Sequence, residues 1–490
     1  MTHNVRSEHS TTMPSLPSKS TLIALLVAGA FFMENLDGTV IATALPQMGV
    51  SFHRNPVDLN MGMTAYMLML AVFIPISGWV ADRVGARTVF ACAIVVFTLS
   101  SIFCGVSQGL WSFTAARIVQ GIGGAMMVPV GRLVVLRTTE KHNLIHSIAY
   151  ITWPGLVAPI LGPPVGGFIT TYASWRWIFF LNVPLGVIAL ALTFLWIANL
   201  REDSVKPFDW IGFALCGTAC TTFMYGLELV GREKEAWTTT LSFLGGGVLL
   251  GVFAVMHLHR AAAPIIDLSS LKIKTFAVTT YGGSLFRIAI SVPPFLLPLM
   301  FQVGFGLSAF RSGLLMLALF AGNLGMKTIT TPVLRRFGFR SVMVTNGVIV
   351  AILIALCAVL SPQTPRIIII AVLFVNGLAR SMQFTSLTTL TYVDIAKPQM
   401  SSATSFSSML VQMAMGMGVA VGAIALRAAA LLKRQPPGIP TLGDFHIAFV
   451  LVGILAAVAV IDCFTLAPDA GAVVSGHRPA GYTDNAPLKA

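Results

Sequence analysis

The sequence has little charge and lacks the common motifs of soluble proteins. Only 10% of its 490 residues are Asp, Glu, Lys or Arg, whereas 56% are hydrophobic; an average soluble domain carries roughly 25% charged residues. A soluble fold could not cover so many apolar side chains without exposing large apolar patches. This composition excludes a soluble globular protein, a disordered chain, a coiled coil and a disulfide scaffold. It predicts a polytopic membrane protein.

Motifs for catalysis, nucleotides and metals are also missing. The sequence contains no Gly-x-x-x-x-Gly-Lys-Ser/Thr phosphate loop and no His-Glu-x-x-His zinc motif. It also contains no Gly-x-Ser-x-Gly nucleophile motif. We therefore expect no enzymatic activity, no metal and no cofactor, and any pumping has to use an ion gradient such as that of protons. The net charge of +13 comes without a basic stripe interleaved with aromatics, so nucleic-acid binding is not expected.

The apolar residues form blocks of about 18 to 28 residues, which are too long for barrel strands and suit membrane helices. We predict fourteen spans, near 21–46, 59–80, 88–107, 110–132, 145–171, 177–199, 209–230, 240–258, 275–302, 310–331, 341–360, 366–389, 402–430 and 445–466. With the amino terminus inside, and with the span-end residues Arg132, Arg311 and Arg366 counted with their loops, 18 Lys and Arg lie on inside segments, 8 on outside segments and 5 deep within spans. Because cytoplasmic loops are rich in Lys and Arg, both termini are predicted to be cytoplasmic in a multi-pass inner-membrane protein.

An internal repeat divides the chain into two halves. The pattern Arg-x-Gly-x-Arg at 83–87 recurs at 336–340, an offset of 253 residues, although Arg335 stands where the first copy has Asp82. Parallel halves of this kind are typical of one large class of secondary transporter. The predicted organisation is a cytoplasmic tail (1–20), an N-terminal six-helix bundle (21–200), an accessory helix pair (201–260), a C-terminal six-helix bundle (261–467) and a disordered cytoplasmic tail (468–490).

Two acidic residues lie inside the first predicted span. Glu34 and Asp37 are three residues apart, so they share one face of a helix. An ionisable side chain at mid-bilayer costs at least about 2.5 kcal/mol, so the pair is expected to face a cavity or a partner. Mutual repulsion and lost hydration make at least one carboxylate easier to protonate. We therefore predict Asp37 as the first proton carrier and Glu34 as the second.

Four segments, in this order along the chain, carry a resemblance to a known family. They are 36–46 (LDGTVIATALP), 78–87 (GWVADRVGAR), 117–124 (RIVQGIGG) and 162–167 (GPPVGG). Across nearly its whole length the chain resembles the 14-helix drug:proton antiporters of the major facilitator superfamily (EmrB/QacA type). The resemblance implies an all-α fold of two six-helix bundles plus two accessory helices. It also places Arg117 close to the acids of the proton path, either as a coupling device or as a static ion pair between spans 1 and 4.

Two of these segments also have a physical interpretation of their own. In the loop motif (78–87), Gly78 permits close helix approach and Gly85 a tight turn, and Asp82 can accept bonds from Arg83, Arg87 or a neighbouring helix end. Together they predict a conformational latch, the alternative being a plain basic loop. In the span 5 motif, proline removes backbone donors and glycine permits close contact. We predict a hinge there, the alternative being close packing alone, and its residues are Gly162, Pro163, Pro164, Gly166 and Gly167.

The second half carries three deep cations without a comparable deep acid, namely Arg287, Lys327 and Arg380. Either Glu34 and Asp37 reach them across a cavity, or the substrate is an anion. Snorkelling or contact with backbone carbonyls is the alternative, above all for Arg380. Further candidates for the cavity wall are Trp153, Asn182, Gln302, Asn323 and Gln383.

Three functions remain open at this point. The first is a proton-coupled multidrug antiporter that works by alternating access, and the second is a proton-driven exporter of anionic metabolites or metal–organic-acid chelates. The third is a non-transporting membrane sensor. The expected partners are a small-molecule substrate, protons and the lipid bilayer. A periplasmic adaptor is compatible with this arrangement but is not required by the sequence.

Overall fold

The computed structural model describes residues 19–138, 144–199, 207–231, 237–262, 264–396, 399–433 and 439–476. Within these ranges the regular structure is helical throughout. The first eight long helices are α1 Lys19–Val40, α2 Asn60–Val84, α3 Ala86–Val106, α4 Leu110–Thr138, α5 Leu144–Tyr172, α6 Asn182–Trp196, α7 Trp210–Gly231 and α8 Trp237–Arg260. The other six are α9 Lys274–Ser291, α10 309–337, α11 339–356, α12 Arg366–Tyr392, α13 Met400–Leu432 and α14 Leu442–Val460.

The helix count agrees with the apolar blocks of the sequence. In the described part of the chain, 12 helices are long and apolar enough to cross a membrane, and one of them, Ala309–Val359, is 51 residues long. That stretch is two helices, because Gly338 inside it has a non-helical backbone with φ of 73°. The 29-residue α5 is a further long apolar helix. The predicted set of fourteen spans is therefore confirmed.

The two copies of the repeat have the same backbone break. Gly85 has φ of 105° at the junction of α2 and α3, and Gly338 has φ of 73° at the junction of α10 and α11. A side chain at positive φ is strained, so glycine is the residue that lets two helices meet at a sharp angle here. The repeat seen in the sequence is thus a repeat of structure.

The two bundles are joined near the carboxyl end of α1. One apolar cluster contains Val40 and Ile41 from the first half together with Phe295 and Met316 from the second. The start of α10 packs equally closely on α5, where the backbone of Ala309 faces Gly167. Apolar contact therefore seals the gap between the bundles at this end of the molecule.

Helix α7 of the accessory pair lies against α2 and α13, and α8 packs on α7. Arg427 Nη1 of α13 bonds the Val230 carbonyl at the end of α7 at 2.5 Å. At the other end of α7, the ring of Trp210 lies 5.5 Å from that of Trp79 on α2. These contacts attach the pair to both bundles, since α2 and α13 come from different halves.

The carboxyl-terminal tail differs from its prediction in its first part. Residues 468–476 are described, and they contain a short helix, Ala472–Ser475. Gly471 packs against the ring of Phe339. The predicted disorder is therefore wrong for these residues, because the tail folds back onto α11; residues 477–490 lie outside the described part of the chain.

Candidate functional site

A buried ion pair joins α1 to α4. Arg117 Nη1 lies 2.5 Å from Asp37 Oδ2, and both residues are 1% exposed. Arg117 also donates to Gln120 Oε1 at 2.7 Å, and its guanidinium carbon lies 4.1 Å from the centre of the Tyr66 ring. This ring face attracts the cation. The acid and the arginine singled out in the sequence are therefore in direct contact.

The second carboxylate oxygen of Asp37 is held by two amides. Gln120 Nε2 donates to Asp37 Oδ1 at 3.0 Å, and Asn182 Nδ2 of α6 donates to it at 2.9 Å. Both amides also donate to Ser101 Oγ of α3, at 2.7 and 3.0 Å. Because buried charged groups need bonded partners, this network supplies a donor to each carboxylate oxygen of Asp37. It also ties four helices of the first bundle together at one point.

Glu34 faces a different environment from Asp37. It lines a cavity of about 250 Å³ between the bundles. Its Oε2 has no hydrogen-bond partner in the described part of the chain, and neither has the Tyr66 hydroxyl. Asp37 and Arg132 of α4 are both near enough to act on Glu34 through their charge. One acid of the first span is therefore sealed and the other is open to the cavity.

Both bundles contribute to the cavity wall, and most of it is apolar. The apolar part includes six methionine and phenylalanine side chains, which are Met63, Met67, Phe295, Met316, Phe320 and Met415. The polar part contains Asn35, Thr39, Asn323 and Gln412. Flexible thioethers suit a wall that adapts to different shapes. Of the five further residues predicted for the cavity wall, Asn323 lies in this lining.

The three deep cations of the second half are placed differently from one another. Arg380 lines the cavity, and its Nη1 is buried without a partner among the described residues. Arg287, only 2% exposed, donates to the Thr279 carbonyl at 2.9 Å, and Lys327 donates to Thr385 Oγ1 at 2.6 Å. Contact with a backbone carbonyl was expected for Arg380, but it is found for Arg287. The expectation that Asp37 reaches across to these cations is wrong, because Arg117 holds it.

The other predicted wall residues do not belong to this lining. Asn182 bonds Asp37, and Gln302 Nε2 donates to the Thr43 carbonyl at 3.1 Å across the two halves. Gln383 is fully buried in the second bundle, where it donates to the Met343 carbonyl at 3.0 Å. The side chain of Trp153 lies outside the described residues. Three of these polar groups are therefore used for packing between helices.

The loop motif forms its ion pair with a residue that the sequence did not single out. Asp82 Oδ1 accepts a bond from Arg137 Nη2, at the end of α4, at 2.7 Å. Of the two expected donors, Arg83 stacks on Trp79 at 5.3 Å and Arg87 lies over the Phe194 ring at 5.9 Å. Of the three partners expected for Asp82, namely Arg83, Arg87 and a neighbouring helix end, the helix end is therefore the one it binds.

Gly78 does not make the close helix contact that was expected. The residue is exposed, and a side chain built on it would meet no atom within 4 Å. The prediction is wrong for this conformation, because no helix approaches the end of α2 at that point.

The glycines of α5 make close contacts, and the helix runs without interruption through all its prolines. Gly162 faces Thr39, and a Cβ atom on Gly166 would lie 2.5 Å from the Val40 carbonyl oxygen. On the other side, Pro163 of α5 meets the backbone of Gly313 in α10. Close packing between the halves is therefore visible, whereas the hinge around Pro164 and Gly167 stays a prediction.

Sequence reasoning missed four participants in these networks. Gln120, Tyr66 and Arg137 touch the acids or their arginine. Ser101 accepts bonds from the two amides that hold Asp37. Gln120 could have been found, because it lies three residues after Arg117 and so on the same helical face. The others come from separate helices, and spacing along the chain gives no signal for them.

Comparisons with known proteins agree with this architecture. Residues 27–419 match the Major Facilitator Superfamily. The multidrug resistance protein MdtD of Serratia proteamaculans is 39% identical over 404 residues, covering 81% of this chain and 83% of that protein. MdtD of Salmonella paratyphi A is 33% identical over 435 residues, covering 89% and 92%.

Solved structures share the fold at low sequence identity. The D-xylose-proton symporter has a TM-score of 0.64 at 14% identity, covering 92% of this chain and 98% of that one. The nucleoside transporter NupG has a TM-score of 0.63 at 13% identity, and the match covers 92% of this chain and 100% of that one. The chain is thus a multi-pass membrane transporter and not an enzyme. It belongs to the major facilitator superfamily, in the 14-helix drug:proton antiporter family.

Proposed function

We propose that this transporter is a proton-driven exporter of small molecules in the inner membrane, with both termini in the cytoplasm and a multidrug range of substrates. The observation that carries the proposal is the sealed pair of Asp37 and Arg117 directly beside a cavity that exposes Glu34. Relatives at 33–39% identity are named multidrug resistance proteins, which supports export of drugs.

Protonation and conformation are linked through the ion pair. A proton on Asp37 removes the negative charge that compensates Arg117, which is 1% exposed. An uncompensated buried charge is strongly destabilising, so the protonated protein favours any arrangement in which Arg117 finds water or another partner. A ligand that changes such an equilibrium does so through its different affinity for the two states. Here the proton is that ligand.

The proton path starts at Glu34, because this acid faces the cavity and Asp37 does not. Glu34 lies three residues before Asp37 on α1 and takes the proton from cavity water before Asp37 receives it. No cofactor is needed, since the gradient supplies the energy. Each proton delivers about 2.3 kcal/mol per 100 mV of membrane potential and about 1.4 kcal/mol per unit of pH difference.

Alternating access follows from where the bundles touch. They are sealed near Val40 and Ile41 and between α5 and α10. If the amino terminus is cytoplasmic, the carboxyl end of α1 at Val40 lies on the outer side of the membrane, so this conformation is closed to the outside. Rocking of 21–200 against 261–467 opens this seal, with the proline-rich α5 as the hinge. In the same movement the exposed Gly78 meets the second bundle.

Transport in proteoliposomes with an imposed pH gradient tests the coupling. We expect Asp37→Asn to abolish gradient-driven transport of a lipophilic cationic dye, and Glu34→Gln to reduce it at least tenfold. The matched control is Glu228→Gln, which removes another buried acid (5% exposed) in α7, away from the cavity. The control should transport as the wild type does. Gradient-driven transport retained in Asp37→Asn would overturn the proposed carrier.

The anion-exporter alternative is supported less well. It requires Arg287 and Lys327 at the substrate, but both bond neutral oxygens outside the cavity lining. Arg380 is the one of the three predicted cations that lines the cavity, and Glu34 shares that lining. A cavity with one acid and one base does not select anions as a class.

A further inference from the structure

The cavity carries two opposite charges from opposite bundles. Glu34 comes from α1 of the first half, and Arg380 comes from α12 of the second. Each has a buried atom without a hydrogen-bond partner in the described part of the chain, Glu34 Oε2 and Arg380 Nη1. Buried polar atoms in proteins are almost always bonded, so these two atoms are free to meet a ligand.

The two charges do not neutralise each other. Among the described residues, no ion pair within 4 Å involves either of them. Asp37 is held by Arg117, so it cannot serve Arg380. Arg132 acts on Glu34 through its charge but is not part of the cavity lining. Within the described lining, the cavity therefore presents one carboxylate and one guanidinium as separate charged groups.

Most of the cavity lining that surrounds the two charges is apolar. Phe295 and Phe320 of the second half line the cavity together with Met63 and Met67 of the first. A ligand that pairs with both charges therefore fits this lining best when the rest of its body is apolar. A guanidinium binds a carboxylate through two parallel hydrogen bonds, which makes Arg380 suited to an anionic end.

We propose that the preferred substrate is a small zwitterion, whose ammonium group binds Glu34 and whose carboxylate binds Arg380 across an apolar body. This inference rests on the proposed export function and names its substrate class. A cation without a carboxylate leaves Arg380 buried and unpaired, and an anion without an ammonium group leaves Glu34 in the same state. Each mismatch is unfavourable, because desolvated charges need partners.

A set of three probes with one scaffold tests the preference. Norfloxacin is a fluorescent zwitterion with an amine and an aromatic carboxylate; its methyl ester keeps the cation alone and its N-acetyl derivative the anion alone. Equilibrium binding to the purified full chain is measured by fluorescence, so that proton coupling does not enter. We expect the zwitterion to bind at least tenfold more tightly than either derivative. Equal binding of all three would overturn the proposal, even if the variants below fail to fold.

Substitutions identify the residue that recognises each end. In Arg380→Gln the zwitterion and the ester should bind equally, and in Glu34→Gln the zwitterion and the N-acetyl derivative should bind equally. Arg366→Gln, which removes an exposed arginine at the start of the same helix, is the control and should keep the wild-type order. An equal loss for all three probes in Arg380→Gln would overturn the assignment. Intact selectivity without gradient-driven transport would instead contradict the proposed proton coupling.

Discussion

Removal of the Asp37 carboxylate should destabilise the protein more than removal of both charged groups of the pair. Arg117 is 1% exposed and its counter-ion lies 2.5 Å away. In Asp37→Asn, Arg117 keeps its hydrogen bond to Gln120 and its contact with the Tyr66 ring, but neither Gln120 nor Tyr66 carries a negative charge. Breaking a buried pair from one side costs about 3–5 kcal/mol, whereas replacing both charges is often nearly neutral.

Thermal unfolding of four purified proteins measures this difference. The set contains the wild type, Asp37→Asn, Arg117→Gln and the double variant, each followed by the loss of the monodisperse peak on gel filtration after heating. Because such unfolding is irreversible, the order of the midpoints is compared. We expect Asp37→Asn to unfold at the lowest temperature. Arg117→Gln should lose less, since Gln120 and Asn182 still donate to the carboxylate.

The unfolding midpoint of the double variant, Asp37→Asn with Arg117→Gln, is the decisive measurement. It should unfold at a higher temperature than Asp37→Asn, because the charge that was left alone has gone. Residues in direct contact show non-additive effects, and the sign here follows from the buried charge. If the two substitutions instead add their losses, then Arg117 does not depend on Asp37 for its charge balance, and the proposed link between protonation and conformation is refuted.

Three further predictions concern other parts of the chain. Gly78→Leu should fold normally, since a side chain there meets open space in this conformation, but should block transport when the bundles close; normal turnover in proteoliposomes would contradict the rocking movement. Gly166→Val should fold poorly, because its Cβ would lie 2.5 Å from the Val40 carbonyl oxygen and overpacking costs about 1–3 kcal/mol or more; the yield of monodisperse protein measures this, with Gly251→Ala as a control at a position with free space. Burial raises the pKa of Asp209, just before α7, but hydrogen bonds from the Gly212 amide, His257 and the Ile265 amide outweigh it and leave the pKa below its ordinary value. An acid whose pKa is lowered by folding stabilises the fold above its unfolded pKa, so Asp209→Asn should lower the unfolding midpoint at pH 7. The difference should shrink as the pH falls below about 4 and disappear only below the lower pKa of the folded state.

Long apolar blocks and glycine positions made the fold predictable. The fourteen spans follow from the length that a bilayer requires, and that length is independent of neighbours. The repeat was visible because Gly85 and Gly338 are both needed at positive φ. The close contact expected of Gly78 could not be tested against spacing alone, because whether a helix approaches it depends on how the helices pack.

The site was only partly predictable, because the spacing of residues along the chain does not determine how each helix is rotated or which helices lie beside it. The pattern of spans could not tell that Arg380 faces the cavity while Lys327 reaches Thr385. Likewise, Asp82 has basic neighbours in its own loop but pairs with Arg137 from another helix. A long side chain near a helix end has several partners within reach, and the choice depends on how the helices pack.

Glu34 and Asp37 show how neighbours give different roles to chemically similar residues. Both are acids on one face of α1, and an offset of three residues turns the second by only about 60° about the helix axis. That rotation is enough to place Asp37 among Arg117, Gln120 and Asn182 and to leave Glu34 at the cavity. Because Asp37 is paired with Arg117, a proton on Asp37 would leave the arginine without its counter-ion. The open acid can exchange protons and contact ligands because its Oε2 is unpaired within the described residues. A proton-driven exporter needs both properties, and one carboxylate cannot provide them in the same conformation.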